Sequence, residues 1–223
     1  MVGVAPYPVT TIDDPQIISF GNNYLWNKAS EPIDNPFNQV DTVSEDLSTI
    51  TKYGTSAEMA QTVLAANPTK TIALIPCAKA GSSITEWQQD PSTSTLYGSM
   101  LNRVNEVTDS GTYPLSAIMF IQGETDAGTL VDANAWATKF TQFVTDIRSD
   151  LGYNVPIVFV RLGDVTPAVK PYWTEVRTGQ TGIAISDVVM VDSDGIWTTG
   201  LHMDTAMYTA VGIAMGNAYN ANF

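Results

Sequence analysis

The chain has 223 residues, of which 44% are hydrophobic and 15% charged, a composition that predicts a globular protein with a single core. Its formal net charge of −13, with only ten lysines and arginines, would repel nucleic-acid phosphates and anionic lipid headgroups, which argues against nucleic-acid and membrane partners. No run approaches the ~20 apolar residues of a membrane span, and the N-terminus has no signal-peptide pattern, so the localisation stays open.

Cysteine and histidine usage limits the chemistry further. The single cysteine, Cys77, excludes an intrachain disulfide framework. The single histidine, His202, has no second histidine or cysteine nearby, which argues against a zinc site. We therefore predict neither a metal nor a cofactor.

The first third of the chain is mostly loop in character. Within residues 1–55, which are rich in Pro, Asn, Asp, Ser and Thr, the run Ile17 to Phe20 resembles a strand. A helix is predicted to begin at Thr55 with a capping box to Glu58 and to end at Asn67-Pro68. The next elements are a strand over Thr71 to Pro76 and a helix carrying Leu96, Met100, Leu101 and Val104.

The stretch Ser116 to Asp126 is the most informative part of the sequence. A short apolar run breaks at Gly123 and is followed by two carboxylates, Glu124 and Asp126. In parallel α/β sheets, ligands bind beyond the carboxyl ends of the strands, so Gln122 and both acids are candidate site residues. The alternative is a loop whose acids cap the next helix.

The second half of the chain alternates helix and strand. Asp132 is predicted to cap a helix with an apolar face from Trp136 to Leu151, and Gly152 ends it. The remaining predicted elements are strands at Pro156 to Leu162 and Val188 to Val191, a helix near Pro171 to Gln180 and a last helix from Thr205 to Tyr219. This alternation predicts parallel βαβ units and an α/β fold.

Four motifs in this order resemble the SGNH (GDSL-type) hydrolases, in particular the branch with sialate O-acetylesterases and acetylxylan esterases. The motifs are I-P-C-A-K-A-G-S-S-I-T-E-W at 75–87, I-Q-G-E-T-D at 121–126, V-R-T-G-Q at 176–180 and G-L-H-M-D-T-A-M-Y-T-A-V-G at 200–212. The resemblance implies a three-layer α/β sandwich with a mainly parallel, flavodoxin-like sheet, formed by one domain over residues 1–223. It also implies a serine esterase that removes acetyl groups from sugars.

The resemblance assigns roles to several residues. Gly81 matches the glycine whose N–H helps form the oxyanion hole, and His202 matches the general base. Without the family context, His202 reads as a surface histidine before a helix. Trp87 and Trp197 either line a sugar site or belong to the core.

The sequence departs from the family pattern at the acid of the triad. Many relatives carry an aspartate three residues before the histidine, where this chain has Thr199. Glu124 is the first candidate for the acid, Asp194 the second and Asp204 the third. We predict that Glu124 lies within about 3.2 Å of a His202 nitrogen or one water away, with Gln122 either supplying an amide to the site or serving a structural role.

A second departure concerns the nucleophile. The family begins with a strand leading into G-Q-S-N-M, which this chain lacks, so we expect a domain incomplete at its N-terminus and a serine upstream of residue 1 or on another chain. The sheet should then be interrupted or rearranged, and the chain alone should be inactive. Ser82, Ser83 and Cys77 are the alternative nucleophiles.

Two functions follow from these observations. The first is a carbohydrate O-acetylesterase acting on an acetylated glycan. The second is a non-catalytic SGNH-like module, either glycan-binding or structural, within a virion or cell-surface assembly, in which case other chains are partners.

Overall fold

The computed structural model describes residues 12–41, 43–44, 53–108 and 113–223, in which helices and strands alternate. The elements are β1 (Ile17–Phe20), β2 (Trp26–Lys28), α1 (Ser56–Ala66), β3 (Ile72–Leu74), α2 (Leu96–Thr108), β4 (Ile118–Ile121), α3 (Leu130–Leu151), β5 (Ile157–Val160), α4 (Trp173–Thr181), β6 (Val188–Val191) and α5 (Thr205–Asn222). Short 3₁₀ turns occur at Ile84–Trp87 and Asp126–Gly128. The predicted α/β class is confirmed.

The described strands form two three-stranded sheets, with the orders β2-β1-β3 and β4-β5-β6. All pairs are parallel except β1 with β2, which is antiparallel. Within the described residues no ladder joins β3 to β4. The prediction that the sheet is interrupted or rearranged at the place of the family's first strand stays a prediction.

The chain divides into two compact units, and the first consists of residues 1–80 and 202–223. Its two helices, α1 and α5, pack closely because α5 presents glycines to α1. A Cβ at Gly212 would lie 2.5 Å from the carbonyl oxygen of Thr55, and one at Gly216 would lie 2.6 Å from Thr62 Cβ. Any side chain at these two positions would push the helices apart.

The second unit, residues 81–201, is built around an aromatic cluster. Phe140 on α3 lies 5.3 Å from Phe120 of β4 and 5.0 Å from Phe159 of β5, measured between ring centroids. Trp136 and Phe143 on the same helix face are also fully buried. Burial of each such side chain contributes roughly 2–3 kcal/mol, so the predicted apolar face of α3 fixes this helix against the sheet.

Local details differ from the sequence predictions at both predicted helix caps. Thr55 precedes α1 but makes no side-chain capping bond, and Glu58 instead accepts a hydrogen bond from Tyr53 Oη at 3.0 Å. Helix α3 begins at Leu130, because Thr129 Oγ1 accepts from the Asp132 amide at 3.1 Å and is the cap. Asp132 is therefore the third residue of the helix and not its cap.

Strand β2 was not predicted, because its three residues are all exposed and carry no alternating pattern. Whether the two units form one domain, as the sequence predicts, depends on how they pack together. The single domain therefore stays a prediction. Over the described ranges, no helix has the length and apolar character that crossing a membrane requires.

Candidate active site

The turn after β4 contains a buried carboxylate, Asp126, that is held by donors from two segments. Asp126 is 1% exposed. Its two oxygens lie 3.2 and 3.1 Å from the amide nitrogen of Ile84, and Oδ2 also accepts from Gln122 Nε2 at 2.5 Å. Asp126 thereby ties the Ile84 turn to the end of β4.

Gln122 reinforces this connection through both the nitrogen and the oxygen of its side-chain amide. Besides the bond to Asp126, Nε2 donates to the carbonyl oxygen of Ser82 at 3.1 Å, and Oε1 accepts from Trp136 Nε1 at 2.8 Å. Both amide hydrogens and the carbonyl oxygen are therefore engaged inside the second unit. These contacts favour the structural role of Gln122 over an amide offered to a substrate.

Gly123 allows α4 to approach the same turn. Its φ is +135°, and an added Cβ would lie 3.0 Å from Val176 Cγ1 and 3.2 Å from Gln180 Nε2. Gln180 is fully buried, donates to the carbonyl oxygen of Gln122 at 3.1 Å and accepts from the Leu162 amide at 2.8 Å. Only glycine fits both this backbone conformation and this contact.

Sequence reasoning included Gln180 in the V-R-T-G-Q motif but gave it no role, although a signal for one exists. It shares one helix face with Trp173 and Val176, both fully buried. A polar side chain on an apolar helix face must find hydrogen-bond partners inside the protein. A residue of this kind is a candidate for holding a site in place.

Gly81 begins the segment that Gln122 and Asp126 hold. It is exposed, with φ +72°, and no atom lies within 4 Å of where its Cβ would be. The next residues, Ser82 and Ile84, are the ones bonded to Gln122 and Asp126. The Gly81 backbone thus sits beside open space on a fixed segment, which is a suitable arrangement for an N–H that stabilises an oxyanion.

The two serines after Gly81 are already engaged in local structure. Ser82 is 9% exposed, and its Oγ accepts from the Trp87 indole nitrogen at 2.9 Å. Ser83 Oγ donates to Glu86 at 3.2 Å, and the Ser83 amide donates to the same carboxylate at 2.7 Å. Trp87 and Trp197 are 6% and 1% exposed, so both belong to the core.

Glu124 is half-buried between opposing charges. Burial raises the pKa of the Glu124 carboxyl, the negative charge of Asp126 raises it further, and the Lys170 ammonium lowers it. Lys170 Nζ lies 3.4 Å from the carbonyl oxygen of Thr125, the neighbouring residue. The protonation of Glu124 therefore depends on both desolvation and a nearby cation.

Asp194, the second candidate acid, is paired with two arginines. Its Oδ1 lies 2.7 Å from Arg177 and its Oδ2 lies 2.6 Å from Arg161. The hydrogen bond from the Arg177 guanidinium, with the charge of Arg161, holds the pKa of Asp194 below its usual range. Both carboxylate oxygens thus have cationic partners within the second unit.

His202 is an exposed residue of the first unit, two positions before the N-cap of α5. Asp204 is that cap, and its Oδ1 accepts from the Met207 amide at 2.9 Å. The pairing of His202 with Glu124 links residues of different units and stays a prediction. Over the described part of the chain, no group of three or more His, Cys, Asp or Glu side chains is arranged to hold a metal ion.

Comparisons with known proteins identify the family and the fold of the chain. A family model described as carbohydrate esterase, sialic acid-specific acetylesterase, matches residues 4–221. A protein of Arabidopsis thaliana described as a probable carbohydrate esterase is 27% identical over 223 residues, covering 97% of this chain and 79% of the plant protein. Its crystal structure superposes with a TM-score of 0.81 over 96% of this chain and 83% of its own.

Two further solved structures share the fold at lower identity. A carbohydrate acetylesterase from Xanthomonas citri is 18% identical and has a TM-score of 0.66, covering 94% of this chain and 49% of its own. NanS is 20% identical and has a TM-score of 0.51, covering 65% of this chain and 52% of its own. The predicted SGNH-like α/β fold is confirmed by these likenesses.

Proposed function

Because this chain belongs to the carbohydrate esterase family of sialic acid-specific acetylesterases, we propose that it forms the greater part of an O-acetylesterase that removes acetyl groups from a glycan. The observation that carries the proposal is the hydrogen-bonded connection between the Gly81 segment and the turn bearing Glu124. One rigid frame thereby holds an oxyanion donor and a carboxylate. His202 is the proposed general base.

In the proposed reaction, His202 takes the proton of a serine hydroxyl as the serine oxygen attacks the acetyl carbonyl carbon. The Gly81 N–H donates to the negatively charged oxygen that forms. His202 then returns the proton to the sugar oxygen as the ester bond breaks, leaving an acetyl-serine that water hydrolyses to acetate. Glu124 accepts from the other imidazole nitrogen and stabilises the imidazolium.

We propose that the nucleophilic serine lies outside residues 1–223, upstream or on another chain. The contacts of Ser82 and Ser83 support this, since Ser82 Oγ is buried against Trp87 and Ser83 belongs to a capping box with Glu86. A nucleophile needs an exposed oxygen next to its base. Ser82 Oγ is buried and does not meet that condition, and Ser83 Oγ already donates to Glu86.

Acetate release from acetylated xylo-oligosaccharides and from O-acetylated sialic acid tests the proposal. The 223-residue chain should be no faster than its His202→Ala variant, whereas a form extended upstream to include the serine should turn over. Robust turnover by the 223-residue chain that is lost in Ser82→Ala, Ser83→Ala or Cys77→Ala contradicts the proposed nucleophile.

The same assay on the extended form assigns the acid. Glu124→Gln should lower kcat by orders of magnitude, and Asp194→Asn should have much less effect, because Asp194 is occupied by Arg161 and Arg177. The reversed order would assign the role to Asp194. An extended form that binds a glycan without releasing acetate would instead support the non-catalytic module.

A further inference from the structure

Large apolar side chains are exposed together in two neighbouring turns of the first unit. Leu25 is 60% exposed, Trp26 47%, Phe37 63% and Val40 65%. Scattered single apolar residues on a surface need no explanation, but several within sixteen residues indicate a contact surface. None of these residues belongs to the site described above.

Hydrogen bonds join the two turns into one surface. The turn between β1 and β2 is closed by the bond from the Gly21 amide to the Leu25 carbonyl oxygen, at 2.9 Å. The second turn is attached to it by the Val40 amide, which donates to Asn22 O at 2.9 Å, and by Asp41, which accepts from Tyr24 Oη at 2.9 Å. We call residues 21–26 and 36–41 together the hairpin surface.

The indole of Trp26 is held in place from beneath. Its ring lies 5.3 Å from that of Phe20, with an angle of 58° between the planes, and Phe20 is 6% exposed. Tyr24 contacts Phe20 edge to face, also at 5.3 Å. Trp26 is thus an ordered aromatic group with nearly half of its surface available for contact, so a ligand would not have to immobilise it.

The charges near the hairpin surface select among possible ligands. The described residues 12–41 contain four aspartates, one glutamate and one lysine, Lys28, which pairs with Asp13 at 2.5 Å. This local excess of negative charge, within a chain of net charge −13, repels acidic glycans and anionic lipids. A neutral ligand with both an apolar face and hydroxyl groups is favoured.

A neutral pyranose sugar has these properties. The C–H groups on one face of the ring carry partial positive charge and meet the negative face of an indole. Its hydroxyl groups can bond polar side chains, and the amide residues Asn23, Asn27 and Asn38 lie in or beside the two turns. Binding sites for small molecules commonly combine aromatic groups with a few polar ones in this way.

We propose that the hairpin surface binds a neutral sugar unit of the glycan, with Trp26 as the stacking platform. This inference rests on the proposed function only in taking the ligand to be a carbohydrate. Its residues are separate from Glu124, Gly81 and His202, so binding here needs no chemistry at those residues.

The test uses the 223-residue chain and unacetylated xylohexaose as the probe, followed by amide NMR shifts and tryptophan fluorescence. Saturable shifts should appear in residues 21–41. Trp26→Ala should weaken binding about tenfold or more, Phe37→Ala should weaken it less, and Trp26→Phe should retain part of it. The matched control is Tyr113→Ala, since Tyr113 is an aromatic residue of the second unit with 70% exposure.

Four outcomes would overturn the inference. The first is no saturable binding of xylohexaose, and the second is a loss of xylohexaose affinity in Tyr113→Ala as large as that in Trp26→Ala. The third is tighter binding of sialyllactose than of xylohexaose. The fourth is a Trp26→Ala variant that changes in sedimentation but not in xylohexaose binding, which would make the surface a self-association site. Trp26-dependent binding without acetate release would remove the proposed function and keep this inference. Acetate release by the extended form without Trp26-dependent binding would keep the proposed function and remove this inference.

Discussion

The turns that follow β4 and β1 both lie at the carboxyl end of a parallel strand, yet they are built in opposite ways. The turn after β4 has a buried carboxylate and a buried amide whose polar atoms are bonded to one another and to nearby backbone. The turn after β1 exposes Leu25 and Trp26. The hydrogen bonds of the turn after β4 hold its polar groups in fixed positions, as a reaction requires. The exposed side chains of the turn after β1 provide apolar contact area, as binding requires.

The largest effect should come from breaking the polar turn. Gln122→Ala removes the bonds that Gln122 makes to the Trp136 N–H, the Ser82 carbonyl oxygen and Asp126, so it should lower the free energy of unfolding by about 3 kcal/mol in urea. Gln142→Ala, on the surface of α3, is the control and should change it by less than about 0.5 kcal/mol. Equal effects would mean that the network contributes no more than a surface bond.

Glu31, a described residue of the first unit, sharpens the comparison because burial acts on its carboxyl without the network that surrounds Asp126. Glu31 Oε2 accepts from the Ile33 amide at 3.1 Å, and the Gly54 N–H also lowers the pKa of this carboxyl, although Oε1 is buried away from solvent. Burial is the main cause that raises the pKa of Glu31 to about 7. The side chain is therefore mostly protonated in the folded protein below about pH 7.

This preference has a definite sign in pH. The folded pKa is above the unfolded value of 4.5, so the native state binds more protons between these pH values and its stability falls as the pH rises from about 4.5 to 7. Glu31→Gln should remove up to about 3 kcal/mol of this loss in the free energy of unfolding. At pH 8 the variant should therefore be more stable than the unsubstituted chain. Urea unfolding at pH 4.5 and 8 checks this, with exposed Glu106→Gln as the control, and a difference that does not depend on pH would contradict it.

A smaller effect is expected at Glu124. Lys170→Met removes a cation that opposes burial and Asp126, so the pKa of Glu124 should rise. Carbon NMR titration of the Glu124 carboxyl, assigned with Glu124→Gln, measures this without needing activity. Lys139→Met is the control, because Lys139 bonds Thr85 Oγ1 and is not among the charges that shift Glu124. An unchanged or lowered pKa would show that Lys170 does not set the charge of Glu124.

The smallest effect is expected at the hairpin surface. Phe37 is 63% exposed, so Phe37→Ala should change the free energy of unfolding by no more than about 0.5 kcal/mol. A loss approaching that of Gln122→Ala, again measured in urea, would mean that this surface is part of a core. The contrast between the two turns would then fail.

The sequence predicted those parts of the fold that depend on local pattern. The apolar face of α3 and the break at Gly123 are periodic or compositional signals, and both correspond to structure. The cap at Thr129 escaped prediction because Asp132, an equally good capping residue, follows three positions later. Strand β2 escaped because its exposed residues carry no alternating pattern.

The candidate site was predictable as a location but not as a network. The position of Glu124 after a buried strand indicated where chemistry would occur, whereas the bonds from Gln122 to Ser82 and from Gln180 to Gln122 join residues 40 and 58 positions apart. Such partners are brought together by the fold, and no local pattern encodes them. Gln180 was visible as the end of the V-R-T-G-Q motif and as a polar residue on an apolar helix face, but neither signal identifies its partners.

The pairing of α1 with α5 has a consequence for the order in which the protein acquires its structure. The second unit is one uninterrupted segment, residues 81–201, whereas the first needs residues 202–223 to pack against residues made more than a hundred positions earlier. During synthesis the second unit can fold while the glycine face of α5 has yet to leave the ribosome. Until then α5 cannot cover the apolar face of α1, and exposed apolar surface of this kind makes a nascent chain prone to aggregation.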